Sequence, residues 1–207
     1  MPLIHQQISH NRALGFWKIT ESEEDLYNMI SEYVSIPDTI SHINKRLEFI
    51  AGRVLVKELL NKLRLPFNGI TKNQHGKPFL ENHFHQLSLS HSYPYVAALI
   101  DADRPVGIDL EQIKPKLLKI APRVLHTDEF RDAGENPVKH CIYWCAKEAL
   151  LKIHGVKDLT FAENLIISPF PLQNEGELIG RIIVDGTARQ LSLHYNVYTD
   201  FVVVYNN

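Results

Sequence analysis

Two stretches of helical periodicity, one in each half of the chain, constrain this sequence more than any other feature. From Ser41 to Leu63, the residues Ile43, Leu47, Ile50, Val54 and Leu55 recur at the spacing of one helix face, while Lys45, Arg46, Arg53 and Lys57 fall on the other. From Pro137 to His154, Ile142, Ala146, Ala149, Leu150 and Ile153 make a second stripe, stopped by Gly155, a residue that readily takes the left-handed conformation past a helix end. Strand-like runs surround both helices. They are Leu14 to Ile19, Gln86 to Ser90 and Tyr95 to Asp101 in the first half, and Gly107 to Leu110, Asn164 to Ser168, Leu178 to Asp185, Gln190 to Val197 and Phe201 to Tyr205 in the second. Asp185-Gly186 has the chemistry of a hairpin turn. A helix stripe must be buried against another layer, so the expected fold is α+β, with two similar lobes, each a long helix on a small, mostly antiparallel sheet. The predicted break gives residues 1–103 and 104–207. A short helix opened by Thr20, a turn-rich segment from Asn68 to Asn82 and an irregular, partly helical region from Lys114 to Phe130 complete the expectation.

With 44% hydrophobic residues in 207, the chain can bury a core in each lobe. A formal net charge of −2 argues against a nucleic-acid footprint, so any basic site must be local. The first ten residues lack the charged start and apolar run of a signal peptide, and no segment approaches the roughly 18–20 apolar residues of a membrane span. The expectation is a soluble, cytoplasmic chain with no membrane partner. Cys141 and Cys145, four apart in a helical pattern, read as reduced core thiols.

The chemistry concentrates in three blocks. In Gly107-Ile-Asp-Leu-Glu111, Asp109 and Glu111 share one face of a strand and repel unless something positive lies between them; water around an exposed strand end is the plainer alternative. In Trp144-Cys-Ala-Lys-Glu-Ala-Leu-Leu-Lys152, Glu148 and Lys152 lie four apart on one helix face, the spacing of an ordinary surface ion pair. Together, three carboxylates and a lysine are what Mg²⁺-assisted chemistry on a phosphate needs. The third block, Leu87-Ser-Leu-Ser-His-Ser92, lacks the nucleophile elbow of a serine hydrolase, and His91 reads better as an anion contact. His83-x-His85 lacks the further ligands of a zinc site.

Gly76-Lys-Pro78 with Leu89-Ser-His-Ser92, then Gly107-Ile-Asp-Leu-Glu111, then Trp144 to Lys152, in that order, resemble the signature of the 4′-phosphopantetheinyl transferase superfamily, in its larger, Sfp-type branch. That resemblance implies two lobes related by a pseudo-twofold, a monomer acting as a pseudo-dimer, and a site in the cleft between them. The implied reaction moves the phosphopantetheine arm of coenzyme A to a serine of an apo acyl or peptidyl carrier protein, from fatty-acid, polyketide or nonribosomal peptide synthesis, and releases adenosine 3′,5′-bisphosphate. Carried over, Asp109, Glu111 and Glu148 hold Mg²⁺, with Mn²⁺ also suitable; Asp109 thereby meets the coenzyme A pyrophosphate, and Glu148 takes the serine proton. Lys152 contacts the pyrophosphate and His91 a phosphate, Lys77, Pro78 and Ser90 line the nucleotide pocket, and Lys45, Arg46 and Arg53 are candidates for the 3′-phosphate. A Mg²⁺-dependent phosphodiester hydrolase and a non-catalytic module that binds coenzyme A or a carrier are the competing readings.

Overall fold

The computed structural model describes residues 3–156 and 158–207. The chain divides into two compact units, Met1–Val106 and Gly107–Asn207.

In the first unit, β1 (Leu3–Ile8), β2 (Arg12–Lys18), α1 (Glu23–Asn28), α2 (Ile43–Lys62), β3 (Ile70–Lys72), β4 (Pro78–Leu80), β5 (Gln86–Ser92) and β6 (Tyr95–Asp101) follow in order. The strands form one antiparallel sheet, β1-β2-β6-β5-β4-β3. The stripe on α2 is buried as the periodicity predicts: Leu47, Ile50, Ala51, Val54, Leu55 and Leu59 join Ala13, Trp17, Val96, Ala98 and Ile100 in one core. Truncating such a side chain costs roughly 2–5 kcal/mol. β6 is buried along its whole length, which is why Tyr95-Val-Ala-Ala-Leu-Ile reads as continuously apolar rather than alternating.

The second unit runs β7 (Ile108–Gln112), α3 (Lys116–Val124), α4 (Thr127–Ala133), α5 (Pro137–His154), α6 (Phe161–Asn164), β8 (Leu165–Ile167), β9 (Glu175–Val184), β10 (Thr187–Val197) and β11 (Phe201–Asn206). Its antiparallel sheet has the order β7-β11-β10-β9-β8. Ile142, Ala146, Leu150 and Ile153 of α5 pack with Leu178, Leu193, Val202 and Val204 in a second core. Gly155 ends α5 at φ 84°, as foreseen, and Asp185 and Gly186 both have positive φ, the geometry of a type I′ hairpin turn.

Each unit is thus α+β, a long helix on an antiparallel sheet. Several local expectations shift. α1 starts at Glu23 rather than Thr20, because Ser22 Oγ accepts from Asp25 N–H while Glu21 turns back to Trp17 Nε1 and Thr20 N. β1 is a largely exposed strand whose Gln6 and Gln7 break the apolar alternation. The turn-rich segment contains the three-residue strands β3 and β4, and the irregular region contains α3 and α4, the latter opened by a capping box in which Glu129 answers His126. Among the described residues no helix is long and apolar enough to cross a membrane.

Candidate functional site

Each unit carries a cluster of charge at the end of its long helix or of a strand packed on it. In the first unit, a cavity of about 500 Å³ opens over the N-terminal half of α2, lined by Ser41, His42, Lys45, Glu48, Phe49, Gly52 and Arg53, by Ser90 and His91 of β5, and by Ile70, Lys72, Gly76 and Pro78. His42 caps the helix through Nδ1, which accepts from Asn44 N–H. The cavity therefore faces the positive end of a 20-residue helix, a place that favours anions.

The side chains add to that field. Arg53 donates to Phe49 O at 3.0 Å and lies 3.4 Å over the Phe49 ring; burial draws its pKa down to about 10. Burial also lowers the pKa of Lys77, between the cavity residues Gly76 and Pro78. Among the described residues no carboxylate pairs with Arg53, Lys72 or Lys77. Cations kept partly from water without counter-charge are costly unless an anion joins them.

Of the residues expected here, Lys45, Arg53, Pro78, Ser90 and His91 meet at the cavity. Arg46 does not: three hydrogen bonds of 2.6–3.1 Å commit its guanidinium to Glu23, and it lines a separate pocket beside Tyr27 and Ile36. One helical residue past Lys45, it faces α1 rather than β5. Ser90 adjoins His91 along β5 and borders the same cavity. His83 Nε2 bonds Pro66 O and its ring stands edge-on to His85, and among the described residues no third metal-ligating side chain joins them.

In the second unit, Asp109 and Glu111 lie opposite Val204 and Val202 of β11 and share one face of β7. Asp109 Oδ1 accepts from Lys152 Nζ at 2.7 Å, and the same ammonium donates to Ile108 O at 2.8 Å. Glu111 Oε1 accepts from Lys116 Nζ at 2.9 Å. The repulsion that the sequence raises is thus offset by two lysines. Glu148 lies one turn before Lys152 on the same face of α5. Gly107 lets the strand come this close: a Cβ there would overlap Ala149 O and stand 2.7 Å from Ile153 Cγ1. Three carboxylates are hard oxygen donors of the kind Mg²⁺ takes, yet among the described residues no three His, Cys, Asp or Glu side chains are gathered to hold a metal ion.

The first lysine of the Trp144–Lys152 block has a different task. Lys147 is fully buried, 2.6 Å from Glu129 and bonded to Phe161 O and Leu165 O, while Glu129 also accepts from Ile167 N. It ties α5 to α4, α6 and β8. Glu48, Phe49 and Lys72 are cavity residues that the sequence reading does not single out. The available signal was Glu48 itself, a carboxylate set between Leu47 and Ile50 on a buried helix face.

The first unit thus carries a largely cationic cavity and the second a cluster of carboxylates and lysines. Residues 105–205 match the family model of the 4′-phosphopantetheinyl transferase superfamily. That match lies almost wholly in the second unit. It is 35% identical over 116 residues to the 4′-phosphopantetheinyl transferase psf-1 of Bacillus pumilus, covering 51% of this chain and 49% of that protein. With the gsp transferase of Aneurinibacillus migulanus the identity is 28% over 148 residues, 65% of this chain and 62% of the relative, and with Sfp of Bacillus subtilis (strain 168) 30% over 118 residues, 51% of each. The chain spans about half the length of the curated relatives it matches.

Proposed function

We propose that this protein transfers the 4′-phosphopantetheine arm of coenzyme A to a serine hydroxyl of an apo acyl or peptidyl carrier protein. The observation that carries the reading is the pairing of an anion-seeking cavity, where Arg53 lacks a carboxylate partner and beside which Lys77 lacks one, with a carboxylate and lysine cluster inside the segment that matches the superfamily. Coenzyme A carries both an adenosine 3′-phosphate and a pyrophosphate, anions of the kind that a cationic cavity and a set of carboxylates with lysines each suit. In this proposal Lys45, Arg53, Lys77 and His91 of the first unit meet phosphate, while Pro78 and Ser90 line the nucleotide.

Asp109, Glu111 and Glu148 would supply oxygen donors for Mg²⁺ (or Mn²⁺), which when bound would offset charge on the pyrophosphate oxygens. Lys152, now on Asp109, adds a cation for the same oxygens. The serine Oγ attacks the pantetheine-bearing phosphorus as Glu148 takes its proton; the P–O bond to the bridging oxygen breaks, and its electrons leave with adenosine 3′,5′-bisphosphate. The protein would act as a monomer in the cytoplasm.

The test is to incubate the protein with coenzyme A, Mg²⁺ and apo carrier proteins and to weigh the carrier. One added phosphopantetheine is expected, and Glu148→Gln should fold normally and lose about 10²- to 10⁴-fold in rate, the usual worth of a general base. Hydrolysed coenzyme A beside unmodified carrier would point to a phosphodiesterase, and bound but unaltered coenzyme A to a binding module.

A further inference from the structure

Glu48 is an anomaly within the first unit's cavity: a carboxylate only 2% exposed at a site otherwise built from cations and a helix N-terminus. Left bare, it would repel any phosphate that entered. It is not bare. Oε1 accepts from Tyr93 N–H at 2.8 Å, at the turn from β5 to β6, and Oε2 meets Lys45 Nζ at 2.6 Å and His91 Nδ1 at 3.2 Å. One buried carboxylate therefore joins α2, the end of β5 and the hairpin that follows.

The consequence falls on His91. Its side chain is 51% exposed, and among the described residues no other group bonds the ring. A ring so exposed would sample several orientations in solvent. Because a carboxylate can only accept, Glu48 requires the proton on Nδ1 and fixes the ring's orientation. When the ring is protonated, Nε2–H is the donor left for an anion. Lys45, which would otherwise swing freely on its exposed stem, is drawn to the same carboxylate.

We propose that Glu48 is the positioning residue of this cavity: its carboxylate holds His91 through Nδ1–H, so that Nε2 is presented to a phosphate of coenzyme A. This rests on reading the cavity as the coenzyme A nucleotide site. Glu48 itself touches no reacting atom, so its removal acts on binding rather than on turnover.

The experiment uses the full chain with Glu48→Gln, an isosteric change that keeps an oxygen for Tyr93 N–H. Imidazole ¹⁵N spectra should show His91 as the Nδ1–H form at alkaline pH in the wild type and lose that preference in the variant. The KM and Kd for coenzyme A should rise about tenfold, the worth of one hydrogen bond to a charged group, with kcat within about threefold. If Glu48 acts through His91, Glu48→Gln/His91→Ala should bind no more weakly than His91→Ala alone. An unchanged His91 spectrum, an unchanged Kd, or additive losses in the double variant would overturn the positioning role while leaving the transferase reading intact. A wild type that binds no coenzyme A would overturn that reading, and the ¹⁵N spectra would still decide whether Glu48 holds the ring.

Discussion

The two units solve opposite problems of charge on the same structural plan. In the first, Arg53 and Lys72 stand without carboxylate partners at a cavity where the buried Glu48 is held by Lys45 and His91; in the second, both carboxylates of the β7 pair carry a lysine. An unpaired, partly desolvated guanidinium is a cost that a bound anion removes, so the first unit is suited to take up phosphate directly. A carboxylate already neutralised by an ammonium is suited to exchange one cation for another as its ligand arrives. Under the proposed function the halves would do separate work: the first would recognise coenzyme A, and the second would hold the groups for transfer.

The widest separation should appear between two lysines of a single helix. Lys147→Ala leaves Glu129 buried without its partner and should cost roughly 3–5 kcal/mol of stability by denaturant unfolding, whereas Lys152→Ala, whose ammonium is partly exposed beside the buried Asp109, should cost about 1–2 kcal/mol and abolish most transfer. Equal effects on stability would break the division between packing and site within the second unit.

A smaller and opposite shift is expected from the first unit. Arg53 has a pKa drawn down by burial to about 10, so its charge strains the fold at every pH below that value. Arg53→Met should therefore raise the melting temperature of the ligand-free protein at neutral pH by roughly 2–4 °C, the shift of about 1 kcal/mol in a chain of this size. A fall would mean that the guanidinium is already paid for within the protein.

The smallest effect concerns acid. Burial alone would raise the pKa of Glu48, but its contacts with His91, Lys45 and Tyr93 N–H outweigh it and hold the group at about 2, against an ordinary 4.5. A depressed carboxylate pKa contributes stability that is fully present above about 4.5 and lost as pH falls toward about 2. Glu48→Gln should flatten this part of the stability-against-pH curve; an unchanged acid limb would show that the contacts do not hold in solution.

Helix periodicity made α2 and α5 legible to within two residues, because burial on one face leaves a repeating stripe. β1, β3 and β4 escaped because short or exposed strands carry little alternation. The site was legible where it follows local spacing: Asp109 with Glu111 on a strand, Glu148 with Lys152 on a helix. It was not legible where selection among basic residues depends on rotation about α2. Arg46 and Arg53 look alike in sequence, and only the packing of α1 beside Arg46 and of β5 and Phe49 near Arg53 distinguishes them. Glu48 could be recognised as a core anomaly, but its partners Lys45, His91 and Tyr93 N come together only through the sheet.

The most direct test of this division of labour is calorimetric binding of coenzyme A, with and without Mg²⁺, to the wild type, Arg53→Met and Asp109→Asn. Arg53→Met should bind about 10- to 100-fold more weakly in both conditions, the range for losing a hydrogen bond from a charged group, whereas Asp109→Asn should match the wild type without Mg²⁺ and fail to gain affinity when it is added. Full affinity in Arg53→Met, or metal-independent loss in Asp109→Asn, would contradict the account.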